Sequence, residues 1–206
     1  MSLPDRRQVV LASNNPGKLR EMAEIVAGHG IDLVPQLRYE VTTVAETGLT
    51  FVENAILKAR AASVVSGLPA IADDSGIEVD VLNGAPGIYS ARYAGEHATD
   101  QENLELLRRN VMATGAVHPV ARYQCIIVYL RHAGDPTPVI ADGTWEGSIV
   151  QEPKGSNGFG YDPIFYVTTH GCTSAELPPE IKNRISHRGL ALRKLLQKLS
   201  GQNLPG

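Results

Sequence analysis

Leu68-Pro69-Ala70-Ile71-Ala72-Asp73-Asp74-Ser75-Gly76 is the stretch from which the rest of the chain is read. An apolar run leads into two adjacent carboxylates, and a serine and a glycine follow at once. The pattern predicts a buried strand over residues 70–73 that ends in acids and then turns, an arrangement suited to holding a metal ion. Successive strand side chains alternate between faces, so only one of Asp73 and Asp74 can face a given cleft. The other is available to bond the backbone or orient a ligand. Past the turn, Ile77, Val79 and Val81 alternate with Glu78 and Asp80, the pattern of a half-exposed strand.

Working outward, Gln8-Val9-Val10-Leu11 reads as a first strand and Ala12 to Asn15 as a polar turn. Asn15 is placed to cap a helix that begins at Pro16 and carries an apolar stripe of Leu19, Met22, Ala23 and Val26. Gly28 to Gly30 end it, and Ile31 to Val34 form a second strand. Thr50 and Glu53 have capping-box spacing before a helix that reaches about Ser66, with Ala55, Leu57, Ala59 and Ala62 available for packing. Asp100 to Met112 reads as a helix capped by Asp100. Val120 to Leu130 and Val139 to Val150 are β-rich and suit long antiparallel strands. Glu152 to Gly160 is a glycine-rich loop, and a last helix runs from an N-cap at Ser186 to about Leu199. Early alternation followed by a hairpin-like pair predicts an α/β chain with a mixed sheet, not a simple βαβ repeat.

At 206 residues, 43% hydrophobic and 20% charged, the chain is long enough for one large domain or two small lobes. A net charge of -3 argues against a broad nucleic-acid surface, while 19 lysines and arginines leave room for a local basic pocket. Two cysteines are too few for a disulfide framework, and Cys125, inside an apolar run, reads as a core residue. No Cys/His cluster has zinc spacing. The N-terminal residues lack a signal-peptide core, and no apolar run is long enough to span a membrane. A cytoplasmic protein is the expectation.

Ser13-Asn14-Asn15-Pro16-Gly17-Lys18 lies between a strand and a helix, where free backbone N–H groups favour anions and Lys18 adds a full charge. It is not a Walker A loop, because Ala12 and Leu19 stand where that motif needs glycine and serine or threonine. The same residues also describe an ordinary capped helix with a surface lysine. Glu46 has no evident structural role and is a candidate metal ligand with Asp74; magnesium takes one or two carboxylates together with water and phosphate. Pro86 to Tyr93 reads as a turn whose tyrosines pack the loop, and Arg92 within it is placed to meet a phosphate or to lie at an interface. Phe159 sits between Gly158 and Gly160, where a ring can stack on a base or fill a turn. Lys182 and Ser186-His187-Arg188 open the last helix; the Arg188 fork suits a carbonyl or a phosphate, and His187 alone suits a surface or capping position.

Taken in order, S-N-N-P-G-K (13–18), E-T-G-x-T-F-x-E-N-A-x-x-K-A (46–59), A-D-D-S-G (72–76), P-G-x-Y-S-A-R-Y (86–93), G-F-G-Y-D-P-x-F (158–165) and K-x-x-x-S-H-R (182–188) resemble the inosine/xanthosine triphosphate pyrophosphatase family. The resemblance runs from Val9 to about Leu196. It implies a single pyrophosphatase domain over residues 1–206 with an elongated mixed sheet, flanking helices and two lobes around a central cleft. It also implies Mg²⁺ as cofactor and a homodimer. Ser13, Asn14, Asn15, Pro16, Gly17 and Lys18 match the triphosphate loop, with Lys58 as a further phosphate contact. Glu46 and Asp74 match the magnesium-associated acids, and Asp74 the proton acceptor. Ser75, Phe159, Gly160, Tyr161, Asp162, Lys182, His187 and Arg188 match substrate contacts.

The implied reaction is hydrolysis of ITP, dITP or XTP to the monophosphate and pyrophosphate. Asp74 activates water, Lys18, Lys58 and Lys182 hold phosphates, Phe159 stacks on the base and Arg188 donates to its 6-oxo group. Adenine presents a donor there, and such a mismatch discriminates by on the order of 10⁴. The alternatives are a pyrophosphatase for other modified nucleotides and a non-catalytic nucleotide sensor. No membrane or nucleic-acid partner is expected.

Overall fold

The computed structural model describes residues 7–42 and 44–201. The reading of the first six residues therefore lies outside the described residues. Seven strands run in the sheet order β2-β1-β3-β4-β5-β6-β7: β1 Arg7–Leu11, β2 Ile31–Pro35, β3 Ala70–Val79, β4 Val120–Leu130, β5 Val139–Ile149, β6 Phe165–Val167 and β7 Cys172–Thr173. β1 is parallel to β2 and to β3, while β6 is antiparallel to β5 and to β7, so the sheet is mixed as expected. The helices are α1 Pro16–Val26, α2 Phe51–Ser66, α3 Asp100–Ala113, α4 Pro179–Ile185 and α5 His187–Ser200.

The chain forms two compact units. The first comprises the chain up to Asp74, Cys125–Gly143 and the chain from Arg188 onward; the second comprises Ser75–Gln124 and Thr144–His187.

In the first unit the period of two in the strands sorts the core into two layers. Val9, Leu11 and Ile71 pack with Met22 and Val26 of α1 and with Leu192, Leu195 and Leu196 of α5. Val10, Ala12, Ala70 and Ala72 pack instead with Ala55, Ala59 and Ala62 of α2. Burial on both faces explains why β1 reads as an unbroken apolar run. The α1 stripe differs from the expected one in a single place: Ala23 is exposed and Ile25 packs against the core in its stead. On α2, Leu57 is only half-buried, and Asn54 and Ser63 are buried with the alanines.

The second unit has its own core, in which Ile77, Val79, Leu104, Leu107, Trp145, Ile164 and Phe165 meet. Its α3 is capped by Thr99 in a full capping box with Glu102, and not by Asp100. The Asp100 carboxylate instead accepts the Gly160 N–H at 2.9 Å.

The largest departure concerns β3, which does not end at its acids but continues through Ser75 and Gly76 to Val79. Gly76 makes no turn. A Cβ there would stand 2.2 Å from the Gly87 carbonyl oxygen and 2.6 Å from Ser90 Oγ. Ser90 Oγ donates to that carbonyl at 2.6 Å and accepts the Ile77 N–H at 2.9 Å. The glycine is needed for close approach of two segments, not for backbone freedom.

Candidate active site

The loop between β1 and α1 is closed upon itself. Asn15 caps α1: its Oδ1 accepts the N–H groups of Gly17 at 2.8 Å and Lys18 at 3.1 Å. The Asn15 N–H donates to Ser13 Oγ at 3.2 Å, the Ser13 N–H to the Leu11 carbonyl at 2.9 Å, and Pro16 has none to give. The expectation that free helix N-terminal amides await an anion is therefore corrected: an asparagine side chain uses them. The loop offers side chains instead. Asn14 is exposed, and its Oδ1 accepts Gln36 Nε2 at 2.8 Å. Lys18 Nζ lies 2.9 Å from Asp73 Oδ2.

Asp73 and Asp74 take opposite faces of β3, as strand alternation requires. Asp73 falls on the α1/α5 side and is 1% exposed, with Lys18 at 2.9 Å and Arg188 Nε at 3.3 Å from the same oxygen. Burial alone would raise the Asp73 carboxyl, but Lys18, Arg188 and Lys58 outweigh it and hold the group well below the usual carboxylate range. Arg188 Nη1 reaches Glu21 Oε2 at 2.5 Å, so a buried arginine is shared by two acids.

Asp74 falls on the α2 side. Its Oδ1 lies 2.7 Å from Lys58 Nζ, and its Oδ2 accepts Asn54 Nδ2 at 3.3 Å. The same lysine nitrogen lies 2.8 Å from Glu46 Oε1. Helical spacing puts Asn54 and Lys58 one turn apart on one face, so α2 grips both oxygens of Asp74. Asn54 Oδ1 also accepts the Gly48 N–H at 2.8 Å, tying the loop that carries Glu46 to the same helix. Burial pushes the Asp74 carboxyl above its ordinary value, and Glu46 adds to the push. Burial works to lower Lys58, yet Asp74, Asp73 and Glu46 together raise it, so the ammonium stays charged. The two carboxylates meet at one cation position, and hard oxygen donors of this kind fit magnesium. Among the described residues there is no group of three or more His, Cys, Asp or Glu side chains gathered for a metal ion, so a metal here would complete its shell with water and phosphate.

The second unit gathers Ser75 and the residues around Asp162. Ser75 follows Asp74 in β3 and is half-buried. Asp162, 2% exposed, accepts Lys182 Nζ at 2.6 Å, Ser174 Oγ at 2.9 Å and the Phe159 N–H at 2.9 Å. A Cβ on Gly158 would stand 2.0 Å from Asp162 Oδ2, which explains the glycine before Phe159. Lys182 Nζ lies 5.0 Å from the centroid of the half-buried Phe159 ring. The Tyr161 hydroxyl donates to the Ser90 carbonyl at 2.7 Å, and burial pushes its pKa up. Lys182 belongs to the separate helix α4 and does not open the last helix; Ser186 closes α4 before α5 begins at His187. His187 is not a surface residue. It is 4% exposed and stacks on Tyr123 at 4.6 Å with 7° between the ring planes, Trp145 lying 6.3 Å away. Arg92 lies 5.3 Å over the Tyr89 ring.

Sequence reasoning missed Gln36, Glu21, Tyr123, Trp145 and Ser174, and carried Asn54 only as one letter of the 46–59 motif. Each is a partner of a motif residue across long sequence separation, and no local pattern announces it. The one usable signal was Asn54, a short polar side chain on the helix face that also carries three alanines.

The match to the Ham1 family model covers residues 9–198. The chain belongs to the Ham1 family. Among relatives of this Ham1 chain, the dITP/XTP pyrophosphatase of Vibrio cholerae is 55% identical over 95% of the chain and 98% of its own length. That of Escherichia coli O157:H7 is 57% identical over 94% of the chain and 98% of its own length. Among solved structures, a HAM1 protein from Coxiella burnetii superposes on 95% of this Ham1 chain and 100% of its own with a TM-score of 0.88 at 48% identity. The Staphylococcus aureus Ham1 protein does so over 95% and 99% with a TM-score of 0.82 at 42% identity.

Proposed function

We propose that this chain hydrolyses deaminated purine nucleoside triphosphates, ITP, dITP and XTP, to the monophosphate and pyrophosphate. The observation that carries the reading is the meeting of Asp74 and Glu46 at the Lys58 ammonium, 2.7 and 2.8 Å away, on a scaffold whose relatives are named for dITP and XTP. Glu46 and Asp74 would hold magnesium, which supplies charge neutralisation for the departing pyrophosphate.

Asp74 accepts the proton of the attacking water, and a carboxyl raised by burial is better matched to that task than an ordinary one. Lys18, Lys58 and Lys182 each rest on a carboxylate, and each shares its remaining donors with substrate phosphates. Phe159 offers a ring face to the base, and Ser75 and the Gly160 backbone line the substrate. Tyr161 and Asp162 act by fixing the 158–162 loop, because their polar atoms are taken by Ser90, Lys182, Ser174 and Phe159. Ser13, Asn15, Pro16 and Gly17 shape the phosphate loop, which leaves Asn14 and Lys18 to make its contacts. Arg188 and His187 remain assigned to the base. The same reading includes two lobes within one pyrophosphatase domain, a homodimer and a cytoplasmic location, supported by the family resemblance. Among the described residues, no helix is long and apolar enough to cross a membrane.

The test incubates the protein with ITP, XTP, dITP, GTP and ATP in magnesium and identifies the phosphate product. Pyrophosphate from the first three, with much slower turnover of the last two, is expected. Release of orthophosphate overturns the chemistry, and equal rates for all five overturn the substrate class.

A further inference from the structure

With the Gly17, Lys18, Asn15 and Ser13 amides all used inside the loop, recognition of a phosphate here draws on side chains and on the Asn14 backbone N–H. Asn14 is the exposed amide of that loop. Its side chain has two unlike ends: a carbonyl that repels an anion and an NH₂ that attracts one. Which end faces outward is decided by what holds the other. Gln36, the first residue of the short 3-10 helix Gln36–Tyr39 after β2, is 8% exposed and donates from Nε2 to Asn14 Oδ1 at 2.8 Å. Among the described residues, Asn14 Nδ2 makes no hydrogen bond to protein.

We propose that Gln36 is a positioning residue for phosphate recognition: by holding the Asn14 carbonyl, it turns the Asn14 NH₂ toward the triphosphate. The inference rests on the proposed function for its ligand, but not for its geometry. Gln36 touches no phosphate itself. A near-buried glutamine on the β2 side of the loop thus sets the polarity of an exposed asparagine 22 residues earlier. Gln36→Met keeps the side-chain length and removes the donor. Gln36→Glu replaces the donor by an acceptor, so that Asn14 must offer its NH₂ inward and its carbonyl outward.

The test measures steady-state ITP hydrolysis, with calorimetric titration of inorganic tripolyphosphate as a second readout. A net hydrogen bond corresponds to about a three- to tenfold change in affinity. Gln36→Met is expected to raise KM and weaken tripolyphosphate binding by about that factor, with kcat within about twofold, and Gln36→Glu to do more. Asn14→Ala should match Gln36→Met, and the double variant should be no worse than Asn14→Ala alone, because both act through one contact. Additive effects, or a fall in kcat with KM and tripolyphosphate affinity unchanged, overturn the inference. A wild-type protein that binds tripolyphosphate with this Asn14 and Gln36 dependence but does not release pyrophosphate from ITP overturns the proposed function and leaves the positioning role standing. Thermal melts of each variant separate loss of folded protein from loss of affinity.

Discussion

Asp73 and Asp74 are consecutive residues that answer to different lysines: Asp73 Oδ2 lies 2.9 Å from Lys18 Nζ, and Asp74 Oδ1 lies 2.7 Å from Lys58 Nζ. The alternation of β3 puts one carboxylate beneath α1 and α5 and the other beneath α2. Their protonation follows suit. Asp73 is held ionised by two or more cations, whereas burial makes Asp74 the readier of the two to take a proton.

Asp74→Asn removes the proposed proton acceptor and keeps the volume of the side chain, at the cost of one acceptor to Lys58 or Asn54. Turnover of ITP is expected to fall by about 10²–10⁴-fold, with an unchanged circular dichroism spectrum. Activity within about tenfold of wild type would remove Asp74 from the role of base.

Asp73→Asn should be the worse substitution for the fold. It takes one acid from the 2% exposed Arg188, which keeps its pairing with Glu21. Breaking a buried pair of this kind costs about 3 kcal/mol. Urea unfolding at neutral pH measures it, and a loss no larger than that of Asp74→Asn would contradict the division of labour between the two acids.

Acid should destabilise the chain partly through Asp73. Its folded-state pKa is depressed, so its contribution is present above the unfolded carboxylate value, about 3.9, and is lost as pH falls from there toward the folded value. Asp74, raised, works in the opposite sense: its ionisation costs stability above the ordinary value, and that cost disappears on acidification. Unfolding free energies measured from pH 7 downward should therefore decline more steeply below about pH 4 for wild type than for Asp73→Asn. Parallel curves would show that the Lys18–Asp73–Arg188 group does not hold Asp73 ionised.

Gly76→Ala places a methyl 2.2 Å from the Gly87 carbonyl oxygen. Overpacking against backbone costs about 1–3 kcal/mol. Differential scanning calorimetry should record a lower Tm, and an unchanged Tm would mean that the 87–90 segment is free to move aside.

Local patterns made much of this legible. Asn15 with Pro16, and the apolar positions at helical spacing, located α1 because capping and amphipathicity are properties of neighbours. β4 was read with its observed limits because eleven residues of β-rich sequence leave little choice. The errors arose where distant residues decide. Gly76 looked like a turn because its reason, the approach of Gly87 and Ser90, lies eleven or more residues away. Asp100 looked like a cap, yet a long-range bond to Gly160 engages it while Thr99 does the capping. His187 looked superficial because nothing nearby in sequence announces Tyr123. The motif residues Lys18, Glu46, Lys58, Asp73, Asp74 and Arg188 were named from sequence order alone; that they form ion pairs with one another was not visible there.

Lys58 gives the acidic pair a counter-ion that is part of the polypeptide. Glu46 and Asp74 are thus screened from each other by a tethered ammonium. On the proposed reading, a magnesium ion held by Glu46 and Asp74 would stand where the Lys58 ammonium now pairs with them, and the flexible four-carbon arm of Lys58 would let that charge serve an arriving phosphate instead.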